Sequence, residues 1–214
     1  MTPRPSAHSA VLLAGGRSLR FGSDKLLAAL AGAPLVVHSV RNALAMFREV
    51  VLVAKDPEKY RDALEAAGFA SLLRSSTLLL RSDLSPRETP LAGLQTGLAA
   101  AGTEACFVCA ADMPFAANLR LLGALNTALR GHAAAAPRFA GVIQPLAALY
   151  RRAPCLDAAG DLLARTAAGP RLLLERVDAG FIEYEKLAPD DPLGVPFLDA
   201  DTPAALAELA RHLA

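Results

Sequence analysis

Short apolar runs alternate with longer stretches of helical spacing through most of this chain. The runs from Ala10 to Ala14 and from Val50 to Ala54 are continuously apolar and end at glycine or charged residues, as buried strands do. Further strands are predicted at 78–80, 106–110, 133–136 and 146–150, and helices at 34–44, 57–67, 90–101, 118–130, 156–167, 171–177 and 202–213. Because the strands alternate with helices, the pattern predicts an α/β fold with a mostly parallel sheet, covered by helices on both faces.

The loop that follows the first predicted strand has the most informative polar chemistry. Ligands of such sheets bind beyond the carboxyl ends of the strands. Here Gly15 and Gly16 allow close backbone approach, while Arg17, Arg20 and Lys25 supply positive charge, a combination suited to a polyphosphate. The spacing fits neither a Walker A loop nor a dinucleotide-binding fingerprint. An ordinary solvated loop is the alternative interpretation.

Two acidic residues follow other predicted strands. Asp112 comes directly after the run 106–110, where a carboxylate can bind Mg²⁺ together with waters and phosphate oxygens. Asp83 follows the strand predicted at 78–80. A turn or cap role for Asp112, and a solvated loop position for Asp83, are the structural alternatives. Cys106 and Cys109 form a C-x-x-C, but residues three apart on a strand face opposite sides, which indicates buried thiols.

Composition limits the classes of function. The chain has 214 residues, 53% of them hydrophobic, and is expected to form one domain over 1–214 with a flexible leader at 1–9. A net charge of +1 argues against nucleic acid or membrane surfaces as partners. No apolar run approaches the roughly 20 residues that span a bilayer. Three cysteines fit a reducing compartment, so a cytoplasmic location is expected.

The chain resembles the molybdenum cofactor nucleotidyltransferases over nearly its whole length. The matching segments, in chain order, are L-A-G-G at 13–16, Ser18, Arg20, Gly22, Asp24 and Lys25, L-x-G-x-P-L-x-x-H at 30–38, T-P-L-A-G-L at 89–94, A-D-M-P-F at 111–115, Q-P-L-A-A-L-Y at 144–150 and L-D-A-D-T-P at 198–203. The resemblance implies a Rossmann-like nucleotidyltransferase fold. It also implies transfer of GMP from GTP to the phosphate of molybdopterin, with release of pyrophosphate and with Mg²⁺ as cofactor.

The same resemblance assigns roles to individual residues. Lys25, Arg20 and Asp112 are the expected catalytic residues, and Asp112 is the expected metal ligand. Molybdopterin as acceptor is expected to contact Gln144, Asp199 and Asp201. Transient contacts with other proteins of molybdenum cofactor biosynthesis are also implied. The nucleotide is expected to contact Leu13, Ala14, Gly15, Gly16, Lys25, Asp83, Gly93 and Asp112.

Some positions depart from the family pattern and leave alternatives open. Gly15 favours guanine, because an alanine there accompanies cytosine. Asp199 and Asp201, however, replace two asparagines of the guanylyltransferases, and Lys55 stands at the family's asparagine after the second strand. A CTP-dependent cytidylyltransferase, transfer to another phosphorylated acceptor, and a nucleotide-binding module without turnover are therefore kept as alternatives. Asp201 is also a candidate N-cap of the last helix.

Overall fold

The computed structural model describes residues 7–15, 24–83, 85–165 and 169–213. Ten strands are formed by these residues: β1 Ser9–Leu13, β2 Ala29–Leu30, β3 Ala33–Pro34, β4 Val50–Ala54, β5 Leu78–Ser82, β6 Ala105–Ala110, β7 Ala134–Phe139, β8 Val142–Ile143, β9 Ala147–Arg151 and β10 Ala179–Glu183. The helices are α1 Leu35–Met46, α2 Arg61–Ala66, α3 Ala70–Arg74, α4 Pro90–Ala100, α5 Leu119–Ala128, α6 Arg152–Arg165, α7 Pro170–Arg176, α8 Tyr184–Leu187 and α9 Pro203–Arg211. Short 3₁₀ helices occupy Lys25–Leu27, Glu58–Tyr60 and Val195–Phe197.

The main sheet confirms the predicted α/β architecture. Its strand order is β10-β7-β9-β6-β1-β4-β5, and β8 pairs with β7. The strand pairs β6–β1, β1–β4, β4–β5 and β10–β7 are parallel, whereas β9 runs antiparallel to both β6 and β7. The carboxyl ends of β1, β4, β5 and β6 therefore lie side by side at one edge of the sheet. That edge is where ligands of open parallel sheets bind.

Alternate residues of the central strands supply two separate cores. Ala10 and Leu12 pack on the side covered by α1, α2, α5 and α9, while Val11 packs on the side covered by α4, α6 and α7. Cys106 and Cys109 are buried on these opposite sides as free thiols, as predicted for i and i+3 on a strand. Every residue of β1 and β4 is buried because helices cover both faces.

Helix α4 lies close against β1 because one of its residues has no side chain. A Cβ at Gly97 would lie 2.2 Å from Cγ1 of Val11, so any larger residue would push the helix away from the strand. Thr89 caps this helix by accepting a hydrogen bond from the backbone N–H of Ala92, and Pro90 occupies its first turn. The residues before α4 are thereby fixed beside the carboxyl edge of the sheet.

Several details differ from the sequence prediction. The short β2–β3 hairpin, β8, α3 and α8 were not predicted. The predicted helix 57–67 is a 3₁₀ turn followed by the short α2, and it ends at Gly68 with φ of +90°, which glycine tolerates. Strand β10 was missed because Ala179–Glu183 is only partly buried and has no continuous apolar run. The expectation that Asp201 caps the last helix was wrong: Thr202 is the cap, and its hydroxyl accepts from the N–H of Ala205.

None of the helices formed by the described residues is both long and apolar enough to cross a membrane.

Candidate active site

The predicted nucleotide-binding residues of three strands meet at the carboxyl edge. Gly15 follows β1, Asp83 follows β5 and Asp112 follows β6. The ladder continues past the strand ends, because the N–H of Asp83 donates to the carbonyl of Ala54 at 2.7 Å, and the N–H of Ala111 donates to the carbonyl of Leu13 at 2.9 Å. Asp112 therefore follows a strand that neighbours β1, at the same edge as Gly15.

Lys25 brings two distant acidic residues together. Its ammonium donates to Oδ2 of Asp112 and, at 2.7 Å, to Oδ1 of Asp201. Only 15% of the Lys25 side chain and 14% of the Asp112 side chain are exposed, so this ion pair is largely shielded from solvent. Burial opposes the charged form of Lys25, but the hydrogen bonds and charges of Asp112 and Asp201 outweigh it and hold the pKa of Lys25 above its ordinary value.

A third carboxylate lies in the same cluster. Oδ1 of Asp199 accepts the backbone N–H of Asp201 at 3.1 Å, which holds the Asp199 side chain against the backbone of Asp201. Partial desolvation, followed by the negative charges of Asp201 and Asp112, raises the pKa of Asp199 above its ordinary value. Two acidic groups thus contact Lys25 directly, and a third, Asp199, lies within their electrostatic influence.

Asp24 anchors the segment that carries Lys25. One carboxylate oxygen of Asp24 caps the 3₁₀ turn by accepting the N–H of Leu26 at 3.1 Å. The other oxygen accepts the hydroxyl of the buried Tyr60 at 3.1 Å and pairs with the ammonium of Lys59 at 2.5 Å. Sequence reasoning matched Asp24 to the family signature but gave it no role. Its contacts are structural, and they hold Lys25 where it reaches Asp112.

Helix α1 supports the loop that carries Asp112. The buried Ser39 hydroxyl donates to the carbonyl of Ala111 at 2.6 Å, and the side-chain amide of Asn42 donates to the carbonyl of Pro114 at 2.9 Å. The ring of His38 has Nε2 at 2.7 Å from the carbonyl of Leu30 in the β2–β3 hairpin. These hydrogen bonds were not predicted, because the sequence of an apolar helix does not indicate which tertiary partners its polar residues contact.

An open cavity of about 570 Å³ lies beside the cluster, over β1, β4 and β5. Its volume falls in the usual range for small-molecule sites. A Cβ at Gly15 would meet nothing within 4 Å, and one at Gly93 would make only ordinary contacts, so both glycines leave space there. The lining residues are Leu13, Gly15, Val53, Ala54, Lys55, Asp83, Glu88, Thr89, Pro90 and Gly93.

Four of the predicted nucleotide-binding residues therefore line one cavity: Leu13, Gly15, Asp83 and Gly93. Ala14 is held at the same edge, because its N–H donates to the carbonyl of Val53 at 2.7 Å. Lys55, Glu88 and Thr89 also line the cavity but were not predicted as site residues. Lys55 could have been predicted as a site residue, because it directly follows β4, a buried strand that neighbours β1.

The other predicted site residues have different outcomes. Gly16 and Arg20 lie outside the described residues. Gln144 precedes β9, whose Ala147 pairs with Cys109 of the antiparallel β6, so Gln144 lies toward the edge that carries Asp112. Its partly buried backbone N–H donates to the carbonyl of Pro137 at 2.9 Å. The acceptor roles of Gln144, Asp199 and Asp201 stay predictions.

Comparisons with known proteins agree with this geometry. Residues 10–180 match the family model described as a MobA-like NTP transferase domain. A probable molybdenum cofactor guanylyltransferase of Natronomonas pharaonis is 33% identical, over 94% of this chain and 96% of that protein. The chain belongs to the MobA-like NTP transferase family. A second probable molybdenum cofactor guanylyltransferase, from Methanosarcina acetivorans, is 32% identical over 72% of this chain and 68% of that protein.

Solved structures confirm the Rossmann-like nucleotidyltransferase fold of this family member. Molybdopterin-guanine dinucleotide biosynthesis protein A of Archaeoglobus fulgidus superposes with a TM-score of 0.75 at 23% identity, covering 96% of this chain and 98% of that one. The 4-diphosphocytidyl-2C-methyl-D-erythritol synthase of Anaerococcus prevotii superposes with a TM-score of 0.66 at 14% identity, covering 96% and 95%. Proteins whose names refer to guanine and to cytidine thus share this fold. The fold therefore does not identify the base, which depends on the residues of the cavity.

Proposed function

We propose that this nucleotidyltransferase moves GMP from GTP to the terminal phosphate of molybdopterin and releases pyrophosphate. The observation that carries the proposal is the Lys25–Asp112 pair at the end of β6, next to the nucleotide-sized cavity that begins at Gly15. The two relatives named above carry the name of this activity. The sequence between Gly15 and Lys25 also supports the proposal, because its glycines and positive charges suit a triphosphate. Such a triphosphate would extend from the cavity to the Lys25–Asp112 pair.

The chemistry requires charge neutralisation more than proton transfer. An oxygen of the acceptor phosphate forms a bond to the α-phosphorus while the bond from that phosphorus to the pyrophosphate oxygen breaks. Because the acceptor phosphate is already an anion, no general base is needed. In this proposal Lys25 donates to the α-phosphate and the leaving pyrophosphate as charge develops on them. In the same proposal Arg20 assists Lys25, and the backbone of Leu13, Ala14 and Gly15 binds the nucleotide.

The acidic cluster fits Mg²⁺. Its donors are carboxylate oxygens only, and two of them already converge on one cation, the ammonium of Lys25. Among the described residues no group of three or more potential ligands is assembled. Mg²⁺ commonly takes one or two carboxylates and completes its octahedron with waters and phosphate oxygens. We propose that Asp112, with Asp201 beside it, would hold the ion, which would neutralise phosphate charge and orient the displacement.

Ser39 offers a test of how the metal ligand is positioned. We expect Ser39→Ala to raise the Mg²⁺ concentration for half-maximal activity about tenfold, because Asp112 follows the carbonyl that the Ser39 hydroxyl holds. The free energy of unfolding should fall by only about 1 kcal/mol for the lost hydrogen bond. Ser75→Ala, at an exposed serine of similar local bonding, is the matched control. If Ser39→Ala lost this stability but its activity depended on the Mg²⁺ concentration as in wild type, Ser39 would only support the fold.

Gly15 offers a test of base selection. Gly15→Ala should move the preference for GTP over CTP toward CTP by roughly 1–3 kcal/mol in kcat/KM, because in this proposal the added methyl group takes up space that a purine needs beside Gly15, which lines the cavity. The methyl meets no protein atom within 4 Å, so the variant should fold normally. Gly123→Ala adds a methyl to open space on α5 and serves as control. An unchanged GTP/CTP ratio would remove Gly15 from the argument for guanine.

Pyrophosphate release tests the whole proposal. Purified protein is incubated with GTP, CTP, ATP or UTP and Mg²⁺, with and without molybdopterin. The proposal expects release with GTP that depends on molybdopterin. A preference for CTP would favour the cytidylyltransferase alternative, which Asp199 and Asp201 support because they replace asparagines. Binding of nucleotide without release under any condition would favour a non-catalytic module. The cytoplasmic location and the contacts with other biosynthetic proteins stay predictions.

A further inference from the structure

Lys55 stands in the cavity without a role in the proposed chemistry. We propose that Lys55 recognises the keto group of the base: its ammonium donates to O6 of guanine, and this contact discriminates GTP from ATP and CTP. The inference rests on the proposed function for the choice of guanine, but it concerns a residue to which the family resemblance assigns no contact. At this position the family carries an asparagine.

Lys55 and Asp83 leave adjacent strands at the same level. Ala54 pairs with Ser82 across β4 and β5, and Lys55 and Asp83 are the next residue on each strand. The Lys55 ammonium donates to the carbonyl of Ser85 and lies 3.9 Å from Oδ2 of Asp83. Both side chains line the cavity. A donor and an acceptor are thus held next to each other in the lining of the cavity.

The Asp83 carboxylate is oriented by its own hydrogen bonds. The residue is only 8% exposed, and its Oδ1 accepts the N–H of Ser85 at 3.0 Å and the hydroxyl of Thr96 at 3.4 Å. Its Oδ2 faces Lys55 at a separation longer than a hydrogen bond. Because an ammonium has three N–H donors, the bond to Ser85 fixes Lys55 while leaving donors for a ligand. Because the Lys55 ammonium and the Asp83 carboxylate are not hydrogen-bonded to each other, each group can also bind the base.

The bases differ in what they present to such a pair. Guanine presents a carbonyl, O6, beside the N–H donors N1 and N2. Adenine and cytosine carry amino groups, N6 and N4, where guanine has O6, and an ammonium cannot accept a hydrogen bond from them. A lysine at this place therefore favours keto bases, while the adjacent carboxylate favours the N–H beside the keto group.

Other residues that line the cavity are apolar, which suits the flat faces of a base. Leu13 and Val53 are buried residues of β1 and β4, and Gly93 on α4 leaves room above them. The Lys55 side chain is 47% exposed and the Asp83 side chain 10%, so a base bound against them would displace water from both, and a polar group left unpaired there would cost free energy. A mismatch between Lys55 and an amino base is therefore penalised.

Triphosphate binding without acceptor tests the inference independently of transfer. Dissociation constants are measured by calorimetry for wild type and Lys55→Met with GTP, ITP, ATP and the triphosphate of 2-aminopurine riboside. ITP keeps O6 but lacks the N2 amino group, and 2-aminopurine keeps the amino group but lacks O6. We expect Lys55→Met to weaken GTP and ITP about tenfold or more, and to leave ATP and 2-aminopurine within about threefold.

Lys186→Met, at an exposed lysine on α8 away from the cavity, is the matched control, and thermal unfolding verifies that each variant folds. The inference is overturned if all four triphosphates weaken equally, because Lys55 would then act through charge or the Ser85 loop. It is also overturned if GTP binding is unchanged. Pyrophosphate release with molybdopterin is measured separately, so a protein that binds GTP selectively through Lys55 without transferring GMP would refute the proposed function alone.

Discussion

Asp112→Ala should abolish Mg²⁺-dependent transfer, with kcat/KM reduced on the order of 10³-fold, because the change removes the proposed metal ligand and a charge that positions Lys25. The protein should stay folded, since Asp112 lies after the strand and not in the core, and Lys25 keeps Asp201 as a partner. Activity is followed by pyrophosphate release across a range of Mg²⁺ concentrations. Binding of Mn²⁺ in place of Mg²⁺, measured by electron paramagnetic resonance, gives a readout besides activity.

Two controls separate metal binding from loss of an ion pair. Asp112→Asn keeps the size of the side chain but removes the charge, and we expect it to lose Mn²⁺ binding almost as fully as alanine does. Asp190→Ala removes an exposed acid that pairs with Arg120 and should leave metal binding unchanged. An Asp112→Ala protein that retained both activity and its Mg²⁺ dependence would rule out Asp112 as the metal ligand.

Lys25→Met should lower kcat/KM by about 30- to 1,000-fold, equivalent to roughly 2–4 kcal/mol of lost transition-state stabilisation. Methionine keeps most of the aliphatic length but removes the ammonium that contacts Asp112 and Asp201. The acidic groups then repel one another without a nearby lysine, so Mg²⁺ should bind the free protein at least as tightly as in wild type. Steady-state kinetics and metal titration on the same preparation measure the two effects.

These opposite changes distinguish a phosphate-binding lysine from a structural one. A lysine that only held the acidic cluster together would, when removed, lower the stability and disturb metal binding, with activity restored at high Mg²⁺. Lys186→Met provides the control for removal of an exposed lysine. A fall in kcat/KM of less than about fivefold would exclude Lys25 as a ligand of the reacting phosphates.

The sequence by itself determined the architecture of the central sheet and much of the site. Continuous apolar runs predicted β1, β4 and β6 to within one residue at each end, because strands buried on both faces leave no place for polar side chains. A parallel sheet puts the carboxyl ends of its strands at one edge, so the residues directly after the runs were site candidates without knowledge of any contact. Gly15, Asp83 and Asp112 became candidates in this way, and the resemblance to the nucleotidyltransferases assigned their roles.

Tertiary structure alone decided which distant groups meet. Lys25, Asp112 and Asp201 are separated by up to 176 positions, and no local pattern specifies that their side chains converge. The same holds for Ser39, whose hydroxyl supports the carbonyl before Asp112 across 72 positions. The choice of Thr202 over Asp201 as helix cap was equally beyond the sequence, because both residue types cap helices well. Asp201 instead accepts a hydrogen bond from Lys25. This long-range contact orients the Asp201 side chain, and local helix propensity could not predict it.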